Sequence, residues 1–252
     1  MSGLRVVLVE PQIPANLGFI ARVLDNFGVS DWTAVRGCPV AGTEAERTGA
    51  PARATLDALQ RSDSLSATLA DRTHIVGLTA RAGYRRAPLP LRELPDLAAE
   101  WGPDARVALL FGREDRGLEA LETEQCTALA TIPTAGLSSL NLSHAVAVTL
   151  YEWFRDRPEA AASTAEAPHQ EQRWARTEDK IRFAKDAFAT LERHAFRHHG
   201  DELRGAIRRL LARSIEGRDL RELFRILDHV AWRERNGTAR PDDPRNDDAP
   251  DD

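Results

Sequence analysis

The chain has 252 residues, of which 42% are hydrophobic and 29% are charged, and its formal net charge is −5. This composition indicates a globular protein with room for one large domain, or a medium domain and a small one. No run of eighteen apolar residues predicts a membrane span, and the N-terminus lacks the pattern of a signal peptide. The two cysteines, Cys38 and Cys126, are too few for a disulfide framework, so we expect a cytoplasmic protein without membrane partners.

The net charge hides an uneven distribution along the chain. Residues 1–175 hold 17 basic and 22 acidic side chains, residues 176–240 hold 16 and 11, and residues 241–252 hold 1 and 6. Nearly all the basic side chains are arginine, whose planar guanidinium suits phosphate. The basic segment is therefore a candidate for binding nucleic acid despite the acidic total.

Short apolar runs alternate with helical patterns through the first 155 residues. Because the runs are brief and bounded by turn residues, they predict buried strands. The strands are "RVVLVE" (5–10), "DWTAV" (31–35), "HIVGLT" (74–79), "RVALLFG" (106–112) and "ALATIP" (128–133). Helices are predicted around 17–27, 44–60, 94–101, 118–127 and 140–155. Strands that alternate with helices predict an α/β fold with a mostly parallel sheet.

The rest of the chain changes character at two points. Residues 156–173 are rich in alanine and proline, which predicts a linker after a first domain at 1–155. Apolar residues return at helical spacing over 174–235, which predicts a small basic bundle of three helices. The acidic, proline-rich residues 236–252 predict a disordered tail.

Motifs for several common sites are absent from the sequence. It contains no G-x-G-x-x-G after a strand, no G-x-x-x-x-G-K-[ST], no H-E-x-x-H and no G-x-S-x-G. His194 and His198 could face a metal from one helix, but no third ligand follows at a regular spacing. A solvated or RNA-facing basic patch is the better interpretation of these histidines, and we expect no metal.

Polar residues and glycines follow three of the predicted strands. Ligands of parallel sheets bind beyond the carboxyl ends of the strands, where these residues fall. Taken singly, each would be a helix cap or a surface residue; together they predict one site. The stretches are "EPQIPANLGFIARVLDNFG" (10–28), "LLFGREDRGL" (109–118) and "IPTAGLSSLNLSHAVAVTLYEW" (132–153).

These three stretches resemble the SPOUT class of knotted RNA methyltransferases. The likeness is greatest to the tRNA 2′-O-methyltransferases that modify nucleotide thirty-two of the anticodon loop. The matching residues are Asn16, Gly18 and Arg22 in the first motif; Phe111, Gly112, Glu114, Gly117 and Leu118 in the second; and Ile132, Pro133, Ser139 to Leu142, Ala145, Val146, Tyr151 and Glu152 in the third. The likeness is close over residues 4–155, with "GLTAR" (77–81) matching a cofactor loop, and looser over 174–235.

The resemblance implies a parallel α/β sheet with a C-terminal trefoil knot, followed by a small helical domain. It also implies a homodimer whose site is completed across the interface, with tRNA as the substrate and no metal. S-adenosylmethionine would be held in the knotted loops by Leu78, Thr79, Ala80, Gly112, Ile132, Ser138, Ser139, Leu140 and Asn141.

By the same resemblance, the catalytic residues would be Arg22, Asn16, Glu114, Ser139 and Asn141. The reaction moves a methyl group from a sulfonium to a ribose 2′-hydroxyl, and family proposals make the arginine the base. A guanidinium stays protonated near neutral pH, so Arg22 is better suited to stabilising the developing alkoxide and to holding a phosphate. Asn16 and Glu114 would orient that region.

Other functions stay open at this point. "EPQIPANLG" is closer to the loop of sister enzymes that methylate the wobble nucleotide, although those enzymes lack the C-terminal domain. Another RNA could be the substrate, or the chain could be a catalytically silent RNA-binding protein of the same fold. An α/β enzyme that acts on a substrate other than nucleic acid fits the basic segment less well.

Overall fold

A parallel sheet of seven strands forms the centre of the first 155 residues, in the order β3-β2-β1-β6-β4-β7-β5. The computed structural model describes residues 3–81, 87–137, 139–155, 174–193 and 200–236. Every neighbouring pair of these strands is parallel. The strands are β1 (Leu4–Val9), β2 (Trp32–Val35), β3 (Gln60–Ser62), β4 (His74–Leu78), β5 (Leu89–Pro90), β6 (Val107–Phe111) and β7 (Ala128–Thr131).

Helices cover both faces of the sheet and make up the C-terminal part. They are α1 (Pro14–Asn26), α2 (Glu44–Gly49), α3 (Arg53–Asp57), α4 (Leu65–Leu69), α5 (Leu94–Glu100), α6 (Ala120–Thr123), α7 (Leu142–Phe154), α8 (Thr177–Arg193), α9 (Gly200–Leu211) and α10 (Gly217–Asn236). Two 3₁₀ turns lie at Ala50–Ala52 and Leu91–Glu93. Within the described ranges, no helix is long and apolar enough to cross a membrane.

Alternate side chains of the central strands enter two separate cores. Val6 and Leu8 of β1 face the larger core, whereas Val7 and Val9 face the smaller one on the other side of the sheet. Parallel strands that are covered on both faces read as continuous apolar runs, as "VVLV" does here. Helices α1 and α7 pack together on the larger core, where the rings of Phe27 and Phe154 stack with centroids 5.8 Å apart.

The predicted α/β class is confirmed, and all five predicted strands are present. Strands β3 and β5 were not predicted because they are only three and two residues long. The single helix predicted over 44–60 is wrong: α2 ends at Gly49, and a 3₁₀ turn containing Pro51 separates it from α3. Proline has no amide proton to continue the helical hydrogen bonds. The helix predicted over 118–127 shrinks to α6.

The three predicted C-terminal helices are confirmed as α8, α9 and α10, which share a small core around Phe183 and Leu220. The start of α8 docks beside the amino end of β4. Thr177 Oγ1 donates a hydrogen bond of 2.7 Å to the carbonyl of Arg72. The linker at 156–173, His194, His198 and nearly all of the predicted tail lie outside the described residues. The domain boundaries themselves stay predictions.

A cluster of charged side chains lies at the amino ends of the strands. This cluster, Arg5, Asp31, Asp71, Arg72 and Arg106, is called the amino edge below. Asp71 accepts hydrogen bonds from Arg5 at 3.0 Å, from Arg106 at 2.6 Å and also from Arg72, whose side chain is only 3% exposed. Burial would raise the pKa of Asp71, but the hydrogen bonds and charges of these arginines lower it to about 2.

The docked helix α8 buries two further titratable side chains at this end of the sheet. Burial lowers the pKa of His74 to about 3, and the charge of Lys180 lowers it further. The His74 ring stacks on Trp101 with centroids 4.2 Å apart. Lys180 donates to the carbonyl of Arg213 at 3.0 Å, and burial lowers its pKa to about 8. Lys180 belongs to the segment that the sequence analysis describes as basic, but only 5% of the residue is exposed.

Candidate active site

A cavity of about 270 Å³ opens at the carboxyl ends of β4, β6 and β7. Its walls come from the segments that follow these three strands and from the start of α7. The lining residues are Leu78, Thr79, Ala80, Arg81, Phe111, Gly112, Arg113, Glu114, Asp115, Arg116, Gly117, Ile132, Ser139, Leu140, Leu142 and Ala145. The cavity therefore combines apolar walls with a rim of charged side chains.

The segment after β6, residues 112–117, forms one wall of the cavity and is called the β6 loop. It closes on itself, because the amide of Gly117 donates to the carbonyl of Arg113 at 2.8 Å. A Cβ atom at Gly112 would lie 2.1 Å from the backbone carbon of Gly117, so only glycine allows this closure. The second-motif glycine therefore serves the shape of the loop.

The carboxylate of Glu114 crosses from the β6 loop to the start of α1. It accepts hydrogen bonds from the amides of Gln12 and Ile13, at 2.9 and 3.2 Å, and from the side chain of Asn16 at 2.8 Å. Helix α1 begins at Pro14 and has no side-chain cap from Ile13. Glu114 supplies a negative charge at that helix end, where it is favoured by the helix dipole.

The hydrogen bonds continue from Asn16 to the start of α7. Asn141 donates to the side-chain oxygen of Asn16 at 3.0 Å, and its own oxygen accepts from the amide of Ser143 at 2.9 Å. Asn141 thus caps α7 while it contacts α1. Glu114, Asn16 and Asn141, which come from three different motifs, form one connected chain next to the cavity.

The other two residues of the first motif have different surroundings. A Cβ atom at Gly18 would lie 2.1 Å from Thr48 Oγ1 and 2.4 Å from the carbonyl oxygen of Ala45, so this glycine lets α1 and α2 pack closely. Arg22 lies on the exposed face of α1, and it has no hydrogen-bond or ion-pair partner among the described residues. It does not line the cavity of its own chain.

The cavity brings together most of the residues predicted to hold the cofactor. Leu78, Thr79, Ala80, Gly112, Ile132, Ser139 and Leu140 line it. Ser138 lies outside the described residues. Asn141 is not among the lining residues and caps the start of α7. The roles of all these residues stay predictions.

Of the charged residues around the cavity, the sequence assigned a role only to Glu114. Arg81, Arg113, Asp115 and Arg116 line the cavity. Outside this lining, Glu10 and Arg36 have left-handed backbone conformations, with φ of 48° and 49°. Glu10 binds Arg36 Nε and Arg113 Nη1, each at 2.8 Å. These contacts lower the pKa of Glu10, with the hydrogen bond from Arg36 as the largest cause. Their positions directly after predicted strands were the signal that could have identified these residues.

Residues 3–151 match the model of the SpoU rRNA Methylase family. The chain belongs to this family. It is 36% identical over 152 residues to the tRNA (cytidine-2′-O-)-methyltransferase TrmJ of Methanocaldococcus jannaschii, a match that covers 58% of this chain and 65% of that enzyme. It is 31% identical over 240 residues to the tRNA (cytidine/uridine-2′-O-)-methyltransferase TrmJ of Pectobacterium atrosepticum, covering 91% of this chain and 97% of that one.

A solved structure extends the likeness in fold to 90% of the chain. TrmJ from Z. mobilis superposes with a TM-score of 0.73 over 90% of this chain and 98% of its own, at 24% identity. The SpoU family match ends at residue 151, before α8, whereas this superposition covers most of the C-terminal region as well. Membership of the SpoU family confirms the resemblance inferred from the three motifs.

Proposed function

We propose that the protein transfers a methyl group from S-adenosylmethionine to a ribose 2′-hydroxyl of tRNA in the cytoplasm, at nucleotide thirty-two of the anticodon loop. One observation carries the proposal. The β6 loop, the segment after β7 and the start of α7 line a single cavity. Glu114 of the β6 loop and Asn141 at the start of α7 both bind Asn16 on α1, the helix that carries Arg22. The TrmJ relatives are tRNA 2′-O-methyltransferases, which supports this choice of substrate.

The cavity suits the chemical groups of S-adenosylmethionine. Leu78, Phe111 and Ile132 offer apolar surface to an adenine ring, while Thr79 and Ser139 offer hydroxyls to polar groups. Gly112, which lines the cavity, offers backbone rather than a side chain to the cofactor. When bound, this cofactor supplies an electrophilic methyl group, and the chain's own residues have to hold it and exclude water.

Arg22 would act on the ribose rather than on the cofactor. The hydroxyl loses its proton as the new bond forms, and a protonated guanidinium next to the oxygen stabilises the developing negative charge. The fork of the same side chain can hold a neighbouring phosphate. The exposed and unpaired state of Arg22 leaves it available for both tasks.

The site would be completed in a homodimer. Arg22 does not line the cavity of its own chain, so a second copy is needed to bring the Arg22 side chain to each cavity. The exposed surface of α1 and α7 carries large apolar side chains, among them Phe19 at 43% and Tyr151 at 61% exposure. Such a surface is typical of a protein contact. We propose that this surface forms the dimer interface.

The C-terminal helices would bind the tRNA backbone. Arg208, Arg209, Arg213 and Arg221 are exposed, and none of them has a carboxylate partner among the described residues. Guanidinium groups without a carboxylate partner can contact phosphates. Binding should therefore weaken steeply as the salt concentration rises.

A methylation assay with a mapped product tests the proposal. The purified protein is incubated with methyl-labelled S-adenosylmethionine and with tRNA from cells that lack the gene, and the methylated position is read by nuclease digestion and mass spectrometry. We expect a 2′-O-methyl group at nucleotide thirty-two. A product at the wobble nucleotide would support the sister activity that "EPQIPANLG" suggests. Cofactor binding without methylation of any tRNA would overturn the proposal in favour of a silent RNA-binding protein.

A further inference from the structure

Three neighbouring strands end in loops that are joined by one carboxylate. In the sheet, β1 lies between β2 and β6. Glu10, directly after β1, binds Arg36 from the loop after β2 and Arg113 from the β6 loop, each at 2.8 Å. The guanidinium of Arg113 also forms a two-pronged contact with Asp115, at 3.0 and 3.2 Å.

The backbone at this point indicates that the side chain of Glu10, which contacts the cavity-lining Arg113, is needed. Glu10 and Arg36 are the non-glycine residues with positive φ among the described residues. Left-handed backbone costs energy in residues other than glycine, and such residues concentrate at functional sites. Glycine would fit both positions without strain. A glutamate and an arginine that bind each other stand there instead.

The contact between Glu10 and Arg113 is the counterpart of the contact made by Glu114. Glu114 reaches from the β6 loop to the start of α1, whereas Glu10 reaches from the segment before α1 to the β6 loop. One contact uses Glu114 of the β6 loop, and the other uses the adjacent Arg113. Together they hold the wall of the cavity against the helix that carries Arg22.

We infer that Glu10 is a positioning residue of the proposed methyl transfer: through Arg113 it fixes the β6 loop, and with it the cofactor, relative to α1, which is part of the proposed dimer interface across which the second copy brings its Arg22. This inference rests on the proposed function. Displacement of reacting groups by about 1 Å can cost on the order of 100-fold in rate. Loss of Glu10 should therefore slow the transfer more than it weakens cofactor binding.

Two substitutions at equally short contacts of the same carboxylate separate this role from general stability. Glu10→Gln keeps the shape and removes the charge, and we expect a single-turnover rate about 10-fold lower. Arg36→Gln breaks the 2.8 Å contact on the side away from the cavity, and we expect less than about a 2-fold change in rate. Calorimetry should give dissociation constants for S-adenosylmethionine within about 3-fold of wild type in both variants.

A double substitution tests whether Glu10 acts through Arg113. If it does, Glu10→Gln combined with Arg113→Gln is no slower than Arg113→Gln alone. Arg113→Lys, which keeps the charge facing Glu10, should recover part of the rate. Equal losses in Glu10→Gln and Arg36→Gln, or multiplying losses in the double variant, would overturn the inference. The wild-type protein is measured first: if it methylates no tRNA, the proposed function fails and this inference fails with it.

Discussion

The two ends of the sheet use similar charged residues for different purposes. At the amino edge, Arg72 is almost fully buried, and Asp71 binds three arginines under the docked helix α8. At the carboxyl ends, Glu10, Arg113 and Glu114 bind loops that border an open cavity. The difference shows that one end of a parallel sheet can be sealed for stability while the other stays accessible for a ligand. Substitutions at the two ends should therefore affect different measurements.

The largest effect is expected at Arg22, on the helix whose start contacts the β6 loop. Arg22→Ala should lower the rate of methyl transfer by about 100- to 1000-fold, as does loss of one electrostatic contact in a transition state. Its affinity for S-adenosylmethionine and its melting temperature should match wild type, since Arg22 has no partner among the described residues. Single-turnover assays would measure the rate, and calorimetry would measure the affinity and the melting temperature.

Arg22→Lys tests the role of the guanidinium. Lysine keeps the charge but not the fork, so we expect this variant to be poor at every pH. A rate that climbs to near the wild-type value as the pH rises would mean that this residue acts as a base.

The reverse pattern is expected at the amino edge. Asp71→Asn leaves Arg72 buried without its main partner, and should lower the free energy of unfolding by about 3 kcal/mol. Asp31 remains 3.7 Å from Arg72 and limits the loss. Because the pKa of Asp71 is held at about 2, below its usual 3.8, its contribution is present above about pH 4 and is lost as the pH falls toward 2.

Denaturant unfolding of wild type and Asp71→Asn between pH 2 and pH 7 would measure this contribution, and the two curves should converge at the acid end. Cofactor binding by the variant at pH 7 serves as the control. A large drop in cofactor affinity without a drop in stability would contradict the division between the two ends.

A smaller effect is expected at Lys180, under the docked helix. Its pKa falls from 10.5 to about 8 on folding, so between these pH values the unfolded chain binds a proton that the folded chain does not. Stability should therefore rise from pH 8 to pH 10.5, by on the order of 2–3 kcal/mol. Lys180→Met should lack this rise. The difference between the two proteins across this range, measured by denaturant unfolding, isolates Lys180 from other titrating groups.

The smallest effect is expected far from both ends. Glu44 and Arg47 form an exposed ion pair on α2, and exposed pairs contribute little to stability. Glu44→Gln should leave the melting temperature, cofactor affinity and methylation rate within experimental error of wild type. A measurable change in any of the three would show that surface charges far from both ends of the sheet also affect stability or activity.

Much of the site could be predicted because the rules that bring it together are simple. Parallel strands end at one edge, so the residues after β1, β6 and β7 share that edge, and Asn16, Glu114 and Asn141 do form a chain of contacts. The contact of Glu10 with Arg113 could not be predicted. It depends on a left-handed residue and on the register of two strands, and neither leaves a periodic pattern.

Some elements of the fold could likewise be predicted from the sequence, and others could not. Apolar runs of five or six residues predicted β1, β4 and β6, while the two-residue β5 has no pattern to recognise. Pro51 could have predicted the break between α2 and α3. The burial of Lys180 could not be foreseen, because a lysine at a helix start reads as a surface residue until the neighbouring Thr73 and Arg213 carbonyls are known.

The contacts made by Glu114 also constrain the order in which the protein can be built. Its partners Gln12 and Asn16 precede it by 102 and 98 residues, and Asn141 follows Asn16 by 125. During synthesis, the start of α1 leaves the ribosome long before its anionic partner exists, at about 5–20 residues per second. Contacts between such distant residues form late, because a long loop must close first. A nascent chain cut before residue 114 therefore has no means of assembling this cavity, however well its first strands pair.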